Sequence, residues 1–128
     1  MKKSILIIDD QPDMLFMLRR VLGDDFEVIE KTDGASALSW LAEGNKPDMI
    51  ISDLTMPSMN GIEFLRLVRQ MPLNRYTPLV IVSAQSDIRL KLKAFEVGAN
   101  EYIVKPVHPN ELLMRVRNIF NLIEPKKE

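Results

Sequence analysis

Asp53 closes an apolar run, Asp48-Met49-Ile50-Ile51-Ser52-Asp53, and Leu54-Thr55-Met56-Pro57-Ser58-Met59-Asn60-Gly61 comes next. A strand-like run that stops on a carboxylate and enters a loop containing Pro and Gly offers that carboxylate to solvent at a sheet edge. Three further apolar runs stop on Asp9-Asp10, Ser83 and Lys105. Acids, a hydroxyl and an ammonium at corresponding strand ends suit phosphoryl transfer. Three converging carboxylates, Asp9, Asp10 and Asp53, repel one another unless a cation joins them. Mg2+ fits best, because it takes a few carboxylates, keeps several waters and accepts phosphate oxygens; Mn2+ would serve with the same ligands. Asp53 can itself be the nucleophile, since carboxylates form acyl-phosphates. Phosphoryl transfer asks for in-line placement and charge neutralisation more than for acid–base groups, so no catalytic histidine is needed. Lys105 can meet a phosphate oxygen as a mobile point charge. The Ser83 hydroxyl and the backbone N–H of Ala84 can donate to others.

Each residue alone has an ordinary explanation. Asp9-Asp10 could cap the next helix, Ser83 could cap a turn, and Lys105 could be a surface lysine. The order and spacing of the set favour a site. From Asp10 to Asp53 is 43 residues, from Asp53 to Ser83 is 30, and from Ser83 to Lys105 is 22. The first interval holds two strand–helix units and the others one each.

The elements that must position these groups alternate five times. Ser4–Ile8, Phe26–Glu30, Met49–Ser52, Leu79–Val82 and Tyr102–Val104 read as strands. Between and after them, apolar residues recur at helical spacing. Met14, Leu15, Leu18, Val21 and Leu22 follow Pro12 and stop at Gly23. Ala35, Ala37, Leu38 and Leu41 follow Thr32-Asp33 and close near Gly44. Ile62, Leu65 and Val68 follow Gly61, and Leu90, Ala94 and Val97 end at Gly98. Leu112, Val116, Ile119, Phe120 and Ile123 follow a start at His108-Pro109-Asn110-Glu111. Continuous apolar strands, each followed by an amphipathic helix, predict an α/β fold: a five-stranded parallel sheet with helices on both faces. Right-handed crossovers bring the strand ends to one edge, where ligands bind.

A length of 128 residues fits one domain, and 46% hydrophobic with 27% charged residues is the balance of a soluble one. The absence of cysteine removes disulfides and thiolate metal sites and fits a reducing compartment, so a cytoplasmic location is expected. No run is long enough to span a bilayer, and the N-terminal apolar stretch is too short for a signal peptide. A net charge of −1, with acids and bases interspersed, gives no basic face for direct nucleic-acid binding. No glycine-rich phosphate loop or Rossmann fingerprint follows any strand. The expected layout is one domain over 1–123 and a polar tail, 124–128, which could begin a linker to an effector domain.

The chain resembles the response-regulator receiver domains of two-component signalling over about residues 4–122. The resemblance is carried by Ile8-Asp9-Asp10, Asp53 through Met56-Pro57 to Gly61, Ser83-Ala84 with Asp87, Gly98-Ala99, and Tyr102-Ile103-Val104-Lys105-Pro106. It implies a flavodoxin-like (βα)5 fold with strand order 2-1-3-4-5. It also implies that Asp53 accepts phosphate from a sensor histidine kinase or a histidine phosphotransfer protein. Asp10 would bind Mg2+ directly, Asp9 through water, and the Thr55 carbonyl would add a ligand. Lys105 and Ser83 would engage the phosphoryl group, and the Lys105–Pro106 peptide would be cis. Thr55 and Gln85 would flank the phosphoryl group and tune its hydrolysis. Movement of Ser83, with Tyr102 turning inward, would remodel the face made by the fourth helix, fifth strand and fifth helix for partner binding or homodimerisation. Such a domain is no enzyme for outside substrates and acts only on its own phosphorylation and dephosphorylation.

Asn60 stands where many members carry Asp, and His108, the one histidine, stands where an acid often starts the last helix; both read as turn or cap substitutions. His108, between Val107 and Pro109, is poorly placed for a phosphocarrier role. Ile88, Leu92 and Phe95 are spaced to form either a contact surface or an edge of the core. Phe16 and Met17 are weaker candidates for docking a kinase, and Trp40 reads as a packing flank. Two alternatives remain. One is a phosphorylation-independent interaction module of the same fold, which would be expected to lose one of Asp9, Asp10, Asp53, Ser83 or Lys105. The other is an aspartate-nucleophile phosphatase, which needs a second Asp where Thr55 stands.

Overall fold

The computed structural model describes residues 2–123. The expected tail at 124–128 lies outside them. Five strands, β1 (Ser4–Ile8), β2 (Glu27–Lys31), β3 (Met49–Ser52), β4 (Leu79–Ser83) and β5 (Glu101–Val104), alternate with five helices. These are α1 (Pro12–Leu22), α2 (Gly34–Ala42), α3 (Gly61–Gln70), α4 (Ile88–Val97) and α5 (Pro109–Ile123), with one 3-10 turn at Pro72–Asn74. All strand pairs are parallel, in the order β2-β1-β3-β4-β5, the flavodoxin-like arrangement expected.

Alternation along each strand divides the core in two. Leu6, Ile8, Ile50, Leu79 and Ile81 face α2, α3 and α4, where they meet Ala37, Leu41, Phe64, Leu65, Val68 and Ala94. Ile5, Ile7, Met49, Ile51, Val80 and Val82 face α1 and α5, meeting Leu15, Leu18, Leu22, Leu112, Val116 and Phe120. A strand packed on both sides has no polar face to spare, which is why its sequence reads as an unbroken apolar run.

Several helix ends are chemically specified. The side chains of Asp33, Asn60 and Asp87 accept hydrogen bonds from the N–H groups of Ser36, Glu63 and Arg89 at the starts of α2, α3 and α4. Asn60 is thus a working cap. Gly98 ends α4 at φ +130°, where its Cβ-free backbone also admits the Arg69 side chain.

The elements differ from expectation in detail. β2 begins at Glu27, because Phe26 stays in the turn: its N–H bonds the Leu22 carbonyl and its ring packs on Phe120 at 5.4 Å. β4 reaches Ser83 and β5 starts at Glu101, each one residue beyond the apolar run. Ala35 and Ile123, expected on apolar stripes, are exposed. Phe64, outside the predicted stripe of α3, is fully buried. Ile88, Leu92 and Phe95 on α4 are 63%, 59% and 43% exposed, which decides for a surface rather than a core edge. Phe16 is exposed, while Met17 and Trp40 pack against the core.

Candidate functional site

Strand register places the acids. The Asp53 N–H bonds the Ile8 carbonyl, so the residues after β1 and β3 leave the sheet side by side. The loop after Asp53 is pinned by Gly61, whose N–H bonds the Leu54 carbonyl at 2.7 Å. A Cβ there would stand 2.6 Å from the Leu54 Cα and 2.8 Å from the Asp53 carbonyl oxygen. Glycine is therefore required for α3 to start this close behind Asp53.

The result is a compact acidic group. One carboxylate oxygen each from Asp9, Asp10 and Asp53 lies within 4.8 Å of the others. Asp9 and Asp53 are buried, and Asp10 is exposed. The Asp9 carboxylate accepts from the Gln11 N–H at 2.9 Å, and Asp53 accepts from the Thr55 N–H at 3.2 Å. Lys105 spans the pair, its Nζ 3.1 Å from Asp9 Oδ2 and 3.0 Å from Asp53 Oδ2. Burial pushes the Asp9 carboxyl above the ordinary range, opposed by the Gln11 N–H and Lys105. Burial pulls the Lys105 ammonium down, but Asp53 and Asp9 outweigh it and hold the ammonium above its usual value. One ammonium against three carboxylates leaves the cluster short of positive charge. Oxygen donors so close together fit a hard divalent cation.

The cluster opens into a cleft of about 280 Å³ lined by Asp10, Gln11, Asp53, Thr55, Ala84, Gln85 and Lys105. Lys105 reaches it from the end of β5, where its N–H bonds the Ser83 carbonyl, and the Lys105–Pro106 peptide is cis, as expected. Ala84, Thr55 and Gln85 are all at the cleft. Ser83 is fully buried beneath it. The Ser83 Oγ accepts the Gln85 N–H at 3.1 Å, and the Tyr102 hydroxyl donates to the Gln85 carbonyl at 2.7 Å. Two hydroxyls thus grip the two sides of one residue. Tyr102 is buried, which raises its phenol above the usual range.

The residues expected to bind metal or phosphate, to flank the phosphoryl group or to switch, Asp9, Asp10, Asp53, Thr55, Ser83, Ala84, Gln85, Tyr102 and Lys105, come to this edge. Gln11 was missed; its only sequence signal was its place directly after the acidic pair. Arg69 was missed as well. It interrupts the apolar stripe of α3, and its guanidinium donates to the carbonyls of Asn74, Thr77 and Gly98 and to the Asn100 side chain. Burial lowers its pKa, and these neutral acceptors surround it far from the acids' sheet edge.

A family model described as the response regulator receiver domain matches residues 5–117. The chain is 35% identical over 122 residues to the cyclic di-GMP phosphodiesterase response regulator of Xanthomonas campestris, covering 93% of this chain and 32% of that protein. It is 37% identical to the DNA-binding response regulator MtrA of Mycolicibacterium smegmatis, covering 91% of this chain and 50% of that one. The chain therefore spans only about a third to a half of these relatives. Among solved structures, that of a response regulator from Chloroflexus aurantiacus superposes with a TM-score of 0.86 at 39% identity, covering 93% of this chain and 98% of the other.

Proposed function

The chain belongs to the response regulator receiver domains, and from that premise we propose that it is a phospho-accepting switch in which Asp53 takes a phosphoryl group from a histidine kinase or a histidine phosphotransfer protein. The observation that carries this is the meeting of Asp9, Asp10 and Asp53 within 4.8 Å, with Lys105 laid across two of them. In the reaction, an Asp53 carboxylate oxygen forms a bond to phosphorus as the bond from phosphorus to the donor's imidazole nitrogen breaks. Asp9, Asp10, Asp53 and the Thr55 carbonyl would hold Mg2+, with Mn2+ as a substitute. Bound there, the ion would neutralise carboxylates and phosphoryl oxygens together. Lys105, already 3.0 Å from Asp53, is placed to turn its ammonium onto a phosphoryl oxygen. The Ala84 N–H and the Ser83 hydroxyl donate to others. Thr55 and Gln85, uncharged and exposed at the cleft, control how water reaches the acyl-phosphate.

The signal leaves through Gln85. If Ser83 turns its hydroxyl to the phosphoryl group, it gives up the Gln85 N–H, while Tyr102 still holds the Gln85 carbonyl. The loop into α4 is then re-set, and with it the α4-β5-α5 face. That face carries Ile88, Leu92 and Phe95, an apolar stripe suited to a partner or a second copy. We place the receiver unit at 1–123 and its work in the cytoplasm, where a kinase presents phosphohistidine; among the described residues no helix is long and apolar enough to cross a membrane. The chain itself makes no direct contact with nucleic acid and turns over no outside substrate.

The test is incubation with phosphoramidate and Mg2+, followed by intact-mass measurement of wild type and Asp53→Asn. Wild type should gain one acid-labile phosphoryl group and the variant none. A wild type that gains nothing overturns the proposal in favour of a phosphorylation-independent interaction module, and a variant that gains as much overturns Asp53 as the acceptor. Light scattering with a beryllofluoride mimic then reads whether activation pairs two copies.

A further inference from the structure

The phosphotransfer cleft does not end at Thr55 and Gln85. The same two residues border a second groove of about 480 Å³, larger than the cleft's 280 Å³, between the starts of α3 and α4. Its apolar lining is Leu54, Ile62 and Leu90; Ile62 and Leu90 are only half-buried and so leave apolar surface open. Glu63 and Arg66, one acid and one base, are both exposed along its edge. The Asn60 side chain is already spent on capping α3.

In-line displacement at phosphorus puts the departing group opposite Asp53. Asp9 and Lys105 pack against the Asp53 carboxylate itself, so the departing group projects outward from the cleft. Two walls then remain. On one, Asp10, a ligand of the proposed Mg2+, and Gln11 present polar groups with no apolar surface. On the other, uncharged Thr55 and Gln85 lead to an apolar floor edged by Glu63 and Arg66, whose charges oppose each other. A departing carboxylate with an apolar body finds apolar surface only on the second wall.

We infer that this groove is a subsite for the non-transferred half of an acyl phosphate, one whose acyl group is apolar or aromatic. The inference rests on Asp53 being the phospho-acceptor. As the Asp53 oxygen bonds phosphorus, the bond from phosphorus to the acyl oxygen breaks, and its electron pair leaves with the carboxylate. No proton need be supplied. Ile62 and Leu90 then set donor preference without touching the transferred group.

The experiment compares phosphorylation of the whole chain, with Mg2+, by phosphoramidate, acetyl phosphate and benzoyl phosphate. Wild type should show a lower KM for benzoyl phosphate than for acetyl phosphate. Ile62→Asn and Leu90→Asn should each raise the benzoyl phosphate KM about tenfold, since each removes apolar contact with the ring. Phosphoramidate has no acyl group and is the reference for each variant; its KM should move less than about twofold. Its continued use also shows that the variant is folded. Equal KM for the two acyl donors in wild type, or variants that shift all three donors alike, overturns the subsite. If phosphoramidate fails to phosphorylate wild type, the premise about Asp53 has failed and the subsite falls with it.

Discussion

Helices α3 and α4 are both ten residues long, both start behind an Asx cap, and both flank the cleft, yet they are held in opposite ways. α3 buries Gly61, Phe64, Leu65 and Val68, and Gly61 is locked against the backbone of Leu54. α4 buries only Ala94. Its lead-in is exposed without a break from Ala84 to Arg89, while its C-terminal end is moored through Gly98 to Arg69. A helix with few buried contacts belongs to the low-stability end of a protein's local openings. The side that carries Asp53 is thus rigid, and the side that the Gln85 lead-in enters is fixed at one end and loose at the other. Chemistry needs the first property and signalling the second.

The largest expected effect breaks the rigid side. Phe64→Ala should cost about 3–5 kcal/mol in urea unfolding, because a fully buried ring leaves a cavity under α3. The matching change on α4, Phe95→Ala, should stay within about 0.5–1 kcal/mol, since that ring is 43% exposed. Equal costs for the two would end the contrast. Next comes the mooring. Arg69→Leu would strip donors from the carbonyls of Asn74, Thr77 and Gly98 and should cost about 2–3 kcal/mol. Hydrogen exchange should quicken at the C-terminal end of α4 before it changes in α3.

A third prediction separates the stability of the acidic edge from its function. Asp9 is buried beside Asp53, so two carboxylates share one ammonium. Replacing Asp9 by Asn keeps its shape and its acceptor for the Gln11 N–H while removing one crowded charge. Without metal, Asp9→Asn should melt higher than wild type, by about 1 kcal/mol. Mg2+ at a hundred times its dissociation constant should add about 2.7 kcal/mol to wild type and much less to the variant. Thermal melts with and without Mg2+ decide it; a variant that melts lower without metal would mean that Lys105 more than offsets the crowding.

The sheet and the acidic edge were legible because both arise from short-range rules. Apolar runs marked out five strands, and the residue after each run lies at the same sheet edge. Asp9, Asp10, Asp53 and Lys105 could be grouped from spacing alone. Boundaries shifted where tertiary contacts decide: Phe26 leaves β2 for the ring of Phe120, and Ala35 turns to solvent although alanine suits either face. Arg69 could not be read, because a cation on an apolar stripe ordinarily signals a surface position. Its partners are backbone carbonyls that no sequence pattern advertises. The Gln85 bridge was hidden for the same reason. Ser83 and Tyr102 were each legible as switch candidates through the family resemblance, but the peptide that both hold belongs to a third residue.

The smallest effect is also the most local, and it tests how α4 is connected to the cleft. Tyr102→Phe keeps the buried ring and removes only the hydroxyl that donates to the Gln85 carbonyl. The carbonyl belongs to an exposed residue and can turn to water, so the global cost should be about 0.5–1 kcal/mol. The local cost is different in kind. With the bond lost, the Ala84–Arg89 lead-in keeps the Ser83 grip on the Gln85 N–H and the Asp87 cap, both within or next to the segment itself. Amides from Gln85 to Arg89 should therefore exchange faster in the variant, while those of α3 and of the Arg69-moored end of α4 stay as in wild type. Exchange that quickens evenly along α4 would mean that the helix moves as one body and that the fixed-end, free-end contrast with α3 is wrong.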